Sequence, residues 1–214
     1  MREATQDIRP DAPPEEVVLA SASPRRQELL RAAGIRFDVA PSHVPEEMRD
    51  GEPAGQFAVR MAVEKAEAAA ASLPAERRPV VAADTIVVVS AGAPDHRQHE
   101  RVLGKPASHE EAAAMLRLLS ARTHVVLTGV CVLDPASGRR LTRVVRTEVT
   151  FSEMSEEEIR DYVATGEPMD KAGAYAIQGR ASRFVERIDG CYFNVVGLPV
   201  PALYGMLKEL RGTS

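Results

Sequence analysis

One segment limits the possible folds more than any other: Val80-Val-Ala-Ala-Asp-Thr-Ile-Val-Val-Val89. Its β-branched and apolar residues predict a buried strand. Asp84 and Thr85 interrupt it. A carboxylate in such surroundings is costly unless it is paired, holds a metal or faces a cleft. The other reading is a turn that lifts Asp84 into water, but turns usually carry more Gly, Asn or Pro than this. Asp84 is therefore the first candidate functional residue.

The flanking sequence supplies helices and further strands. Val17 to Ala20 reads as a short buried strand. Ser23 then offers an N-cap, with Pro24 at the first helical position, and Gly34 ends that helix. Ile35 to Ala40 returns as a strand. Pro41 to Gly55 is a polar loop carrying Glu46 and Glu47, and an Ala-rich helix follows to Ser72. Ser90 to Arg101 is a loop. Ser108 with Glu111, and Ser155 with Glu158, form capping boxes that open two more helices. Val125 to Leu133 and Leu141 to Phe151 are strands joined by a hairpin turn at Asp134 to Gly138. Thr165 to Gly173 and Asn194 to Pro199 are loops. Ala174 to Gln178 and Phe184 to Ile188 are short strands, and Pro201 to Leu210 is a closing helix. Helix–strand alternation that gives way to a strand-rich middle predicts an α/β fold, with a mixed twisted sheet and flanking helices.

A length of 214 residues suits one such domain. Residues 1–16 are polar and proline-bearing and read as a disordered extension, leaving 17–214 as the domain. The net charge of −4 and the absence of Trp argue against a nucleic-acid surface. No apolar run approaches the ~20 residues of a membrane helix, so a cytoplasmic location is expected. Cys131 and Cys191 lie in apolar stretches, form no CxxC pair and read as core residues. The five histidines fall in polar segments or beside loops, without metal-ligand spacing.

Five groups of residues carry chemistry. Ser21 and Ser23 precede a helix whose first turn holds Arg25 and Arg26. Two cations there oppose the helix dipole, an arrangement that a bound phosphate would relieve; the alternative is a capped helix with two solvated arginines. Asp84 and Thr85 form the second group. Lys65 follows Phe57 and Met61 on one helix face and either snorkels to water or points into a cleft. Lys105 sits between Gly104 and Pro106 in a tight loop. Asp170 and Lys171 occupy a Gly-bounded loop, followed by Gln178, whose amide could read a base edge or bond to backbone. Together these describe a site for a polyanion with a divalent metal. No Ser-His-Asp arrangement and no GxxxxGK[ST] loop is visible.

Taken in order, Leu19-Ala-Ser-Ala-Ser-Pro-Arg-Arg-Gln-Glu-Leu-Leu30, Ala62-Val-Glu-Lys-Ala66, Ala83-Asp-Thr85, Gly104-Lys-Pro106, Thr128-Gly129, Asp170-Lys-Ala-Gly-Ala-Tyr175, Ile177-Gln-Gly179 and Asn194-Val-Val-Gly-Leu-Pro199 resemble the Maf family of nucleotide pyrophosphatases. The resemblance implies a fold similar to inosine-triphosphate pyrophosphatases, with two lobes around a deep cleft, and a homodimer. It implies hydrolysis between the α- and β-phosphates of a nucleoside triphosphate, dependent on Mg2+ or Mn2+. Asp84 matches the family's proton acceptor, Glu46 a loop carboxylate for catalysis or metal, and Lys65 and Lys105 phosphate-side lysines. Glu46, Asp84 and Asp170 are the expected metal ligands. The acidic loop reads Pro45-Glu46-Glu47 where the family often has Asp-Glu. Arg25, Thr85 and Gln178 are of the dTTP/UTP type, where a 7-methyl-GTP group carries Trp, Gln and Glu. Modified pyrimidine nucleotides are further candidate substrates. The family name is also tied to septum formation, which gives the alternative of a cell-division regulator acting through partner binding.

Overall fold

The computed structural model describes residues 16–73, 75–91 and 99–212. In chain order they form β1 (Glu16–Leu19), α1 (Pro24–Ala32), β2 (Arg36–Val39), α2 (Ala54–Ser72), β3 (Val80–Ala91), β4 (His99–Leu103), α3 (His109–Leu119), β5 (Thr123–Leu133), β6 (Arg140–Phe151), α4 (Glu156–Ala164), three short 3-10 turns, β7 (Val185–Asp189), α5 (Tyr192–Val196) and α6 (Val200–Leu210). The strands make one mixed sheet in the order β2-β1-β3-β5-β6-β7, with β4 added beside β3. β1 runs parallel to β2 and β3, and the remaining pairs are antiparallel. The α/β class with a mixed sheet and flanking helices is thus present.

β3 organises the sheet. β5 follows one edge of it from Val80 to Val88. The opposite edge is shared: β1 pairs with Val80 and Val81, and β4 with Val87 to Ala91. Residues 82–86 therefore have a sheet neighbour on one side only. The interruption expected at Asp84-Thr85 is not in the chain, because β3 is continuous over 12 residues. It is in the sheet: a slot lies between the end of β1 and β4.

The period of two along β3 sends neighbouring side chains to opposite faces. Val81, Ala83, Val87 and Val89 join the larger core with residues of α1, α3, α4 and α6. Val80, Ala82, Ile86 and Val88 face α2. Asp84 accordingly belongs to the α2 face and Thr85 to the other.

Small residues let α2 lie close to the sheet. Ala58, Ala62, Ala66 and Ala69 are buried along its inner stripe. Gly129 on β5, opposite Asp84, meets them. A Cβ at Gly129 would stand 2.2 Å from the Ala58 carbonyl oxygen and 2.5 Å from Val59 N. This approach sets the height of the helix, and with it the reach of Lys65 two turns further on.

Several local expectations are corrected. Glu16 already belongs to β1, and residues 1–15 lie outside the described residues. β4 begins inside the expected Ser90–Arg101 loop, of which residues 92–98 are not described. Ala174–Gln178 is not a strand: a 3-10 turn over Ala172–Ala174 leads into a turn at residues 177–179. Ala174 to Ile177 are buried through packing, with Ala176 N donating to the Tyr162 hydroxyl, rather than through sheet pairing. α5 occupies the first half of the expected Asn194–Pro199 loop. Ser155 and Glu158 make both halves of their capping box. Ser108 accepts from Glu111 N, but the Glu111 carboxylate takes the Ala107 N–H instead of closing the box. Cys131 is in the core, whereas Cys191 is half-buried ahead of α5. Among the described residues no helix is long and apolar enough to cross a membrane.

His124 stands beside a loop, as expected, but is buried at the start of β5. Its Nε2 lies 2.9 Å from the Tyr175 hydroxyl, and its ring meets Phe151 and Tyr175 edge-on. Burial lowers its pKa from 6.5 to about 4. Between those values the unfolded chain binds a proton that the folded chain refuses. Stability from this group is therefore complete above pH ~6.5 and falls towards pH ~4, by up to about 1.4 kcal/mol per pH unit. Urea unfolding of His124→Gln across that range is expected to show a shallower acid limb than wild type. Gly129→Ala is expected to lose about 3 kcal/mol, since the clash is with helix backbone and not with a movable side chain. Urea unfolding at neutral pH measures this.

Candidate active site

A cavity of about 540 Å³ opens at the slot in the sheet. The β1–α1 turn contributes Ser21, Ser23, Arg25 and Arg26, and the loop after β2 contributes Ser42, His43 and Glu46. α2 brings Lys65, β3 brings Asp84 and Thr85, and two loops bring Lys105, Asp170 and Lys171. Every residue singled out from the sequence lines this cavity except Gln178.

At its floor Lys65 Nζ donates to Asp84 Oδ1 at 2.6 Å and to Glu46 Oε1 at 2.5 Å. Lys65 and Asp84 are only 8% and 6% exposed. Two buried opposite charges tolerate that position because each satisfies the other. Glu46 is more open. Burial works to raise its pKa, but the hydrogen bond and charge of Lys65, aided by Lys105 and Arg26, hold it below the usual carboxylate range. The Glu46 loop is tied to α2 a second time through Arg60. Its guanidinium forks onto Glu52 at 2.6 and 2.7 Å and donates to the Glu47 carbonyl at 2.9 Å.

The helix end is arranged for an anion. Ser23 occupies the N-cap position but makes no side-chain cap bond, and no acidic residue stands in the first turn of α1. The leading N–H groups are thereby left to a ligand. Ser21 Oγ accepts instead from Ser23 N at 3.3 Å and from Arg26 at 3.1 Å. Arg26 also donates to the Gly197 carbonyl at 2.8 Å and to Thr85 Oγ1 at 3.3 Å. Burial lowers its pKa, partly offset by the Asp84 charge. Arg25 is lowered by burial too, against the opposing charge of Asp170.

Thr85 Oγ1 is fully engaged: besides Arg26 it meets Thr128 Oγ1 at 2.9 Å and the Gly197 carbonyl at 3.3 Å. Thr128 donates on to the Asn194 carbonyl, while the Asn194 amide donates to Val126 O and Thr147 Oγ1. The carbonyl that seats Arg26 is thus braced by a buried asparagine. Across the cavity Lys171 pairs with its neighbour Asp170, which lowers the Asp170 pKa against the effect of burial. A 3.0 Å bond from Gly173 N to the Gly104 carbonyl ties the Lys171 loop to the Lys105 loop.

Two expected site residues stand apart from the cluster at Lys65. Gln178 sits exposed on the turn after Ile177, outside the cavity wall. Among the described residues no group of three His, Cys, Asp or Glu converges, and Asp170 is paired with Lys171 rather than gathered with Glu46 and Asp84. Other residues around the site were not singled out for chemistry. Thr128, fully buried behind Thr85, carried the same signal as Asp84, a polar residue within an apolar strand. Gly197 lay in a motif read as a loop. Ser42, whose buried Oγ has no partner among the described residues, and His43 had no distinguishing pattern.

Carboxylates around an ammonium, facing a helix N-terminus and further cations, can bind a polyphosphate and order a water beside it. The comparisons agree with this chemistry. A dTTP/UTP pyrophosphatase from Koribacter versatilis is 51% identical over 193 residues, covering 90% of this chain and 93% of its own. One from Geobacter sulfurreducens is 52% identical over 195 residues, covering 91% and 95%. Among solved structures, the Staphylococcus aureus Ham1 protein is a distant likeness, 16% identical with a TM-score of 0.47 over 91% of this chain and 99% of its own. The family model described as Maf-like protein matches residues 16–210, and this chain therefore belongs to that family.

Proposed function

We propose that this protein is a cytoplasmic enzyme that hydrolyses dTTP and UTP to the nucleoside monophosphate and pyrophosphate. The observation that carries the chemistry is the Lys65 ammonium bonded to both Asp84 and Glu46 at the floor of a cation-lined cavity. The base preference rests on likeness to relatives of that name at about half identity over nine-tenths of the chain.

The triphosphate lies along the N-terminus of α1, where free N–H groups and Arg25 meet its oxygens. Lys105 and Lys171 neutralise it from the linked loops opposite. Asp84 Oδ1 is held by Lys65, while among the described residues Oδ2 has no hydrogen-bond partner. Oδ2 is the oxygen that takes a proton from the attacking water. Positioning and charge neutralisation supply most of the rate.

The donor set also fits a divalent cation. Two carboxylates from different elements converge on one point, the protein share typical when phosphates supply further oxygens. Glu46 and Asp84 would hold Mg2+ or Mn2+, and the ion would supply charge neutralisation at the phosphate. A homodimer belongs to the same reading and would sediment at twice the chain mass.

Pyrophosphate release from metal-stripped protein tests the reading, with dTTP and UTP leading the other nucleotides and EDTA abolishing turnover. Asp84→Asn is expected to lower kcat about 10²- to 10⁴-fold with a small change in KM. Lys105→Ala, on an exposed side chain, is expected to raise KM more than it lowers kcat. Folded protein that cleaves no nucleotide would overturn the reading and bring forward a partner-binding role in cell division.

A further inference from the structure

The function proposed above calls for a divalent cation, but the two carboxylates best placed to hold one are already joined by a lysine. Asp84 approaches from β3 and Glu46 from the loop after β2, and each gives an oxygen to the same Nζ. The Lys65 side chain is 10% exposed and that of Asp84 9%, so water screens this contact poorly. Arg26 and Lys105 add positive charge near Glu46. A dication arriving alone would find one oxygen of each carboxylate engaged and an ammonium a few ångström away. In a poorly screened site that repulsion is worth orders of magnitude in affinity. No third His, Cys, Asp or Glu among the described residues gathers there to offset it.

A triphosphate reverses this balance. It brings several negative charges and an oxygen-rich surface, and offers Lys65 new acceptors. An ammonium has three N–H donors, two of which serve the carboxylates, so Lys65 can turn to phosphate and release carboxylate oxygens. We propose that Lys65 occupies the cation position between Glu46 and Asp84, so that the metal enters only together with the nucleotide. This deepens the functional reading above and rests on it.

The test is Mn2+ binding without turnover, followed as loss of the free-ion electron paramagnetic resonance signal. Nucleotide-free wild type and Lys65→Arg are expected to leave Mn2+ largely free. Lys65→Met is expected to take up one Mn2+ per chain at least about tenfold more tightly than wild type. Mn2+ is also expected to raise the melting temperature of Lys65→Met but not of wild type. Lys65→Met with Asp84→Asn is expected to lose the uptake. Lys65→Gln replaces the methionine variant if circular dichroism shows the latter unfolded. Wild type that binds bare Mn2+ as tightly as Lys65→Met would overturn the proposal, as would a folded lysine-free variant that binds none. A separate arm adds a UTP analogue with a methylene bridge between its α- and β-phosphorus atoms, which is expected to bring one Mn2+ to wild type. If the analogue fails to bind while Lys65→Met takes up the bare ion, the substrate reading falls and the exclusion of cation by Lys65 stands.

Discussion

The ammonium of Lys65, shared between Asp84 and Glu46, is the interaction on which the site depends. It joins three elements distant in sequence: a helix, a central strand and a loop. Each charge would be costly at its depth alone, and the three together are tolerable because each satisfies another. The contact also needs a fixed distance between α2 and the sheet. That distance follows from an alanine stripe meeting Gly129, where even a methyl group would strike helix backbone. Packing of the smallest residues thus determines where the longest charged side chain ends.

The slot in the sheet explains how one cavity draws on both faces of a strand. In a complete sheet Asp84 and Thr85 would face separate layers. Here β1 stops at Val81 and β4 starts at Val87, so the edge between them is open. The chain leaving β1 turns into α1 at that gap and lays its helix N-terminus over it. Ligand sites at the carboxyl ends of parallel strands, where the chain parts in different directions, have the same physical basis.

Much of this was legible because buried charge is conspicuous in an apolar run. Asp84 stood out for that reason, and Phe57, Met61 and Lys65 fell on one helix face by spacing alone. What could not be read was whether Asp84 sat in a turn or a strand. That depends on which strands pair with β3, and its partners on β1 and β5 lie far from it in sequence: Val18 pairs with Val80 and Asp84 with Gly129. The strand expected at Ala174–Gln178 failed for a related reason. Its residues Ala174 to Ile177 are as buried as strand residues, but they are held by Tyr162 and core packing, and burial alone does not reveal the backbone. β4 was hidden because a strand rich in charged residues at a sheet edge has no apolar periodicity to display.

The buried hydroxyls around Thr85 change what that residue contributes. A hydroxyl that already meets Arg26, Thr128 and the Gly197 carbonyl has little capacity left for a nucleobase. Its contribution is better seen in Arg26, which it helps to hold flat against the cavity wall beside Ser21. Asn194 extends the same chain, fixing α5 through Val126 and Thr147 so that the Gly197 carbonyl stays in place. A threonine at position 85 then shapes the cavity through the posture of an arginine. A larger amide at this position would have to find other partners for Arg26 and Thr128, and the cavity would change in shape before it changed in hydrogen-bonding pattern.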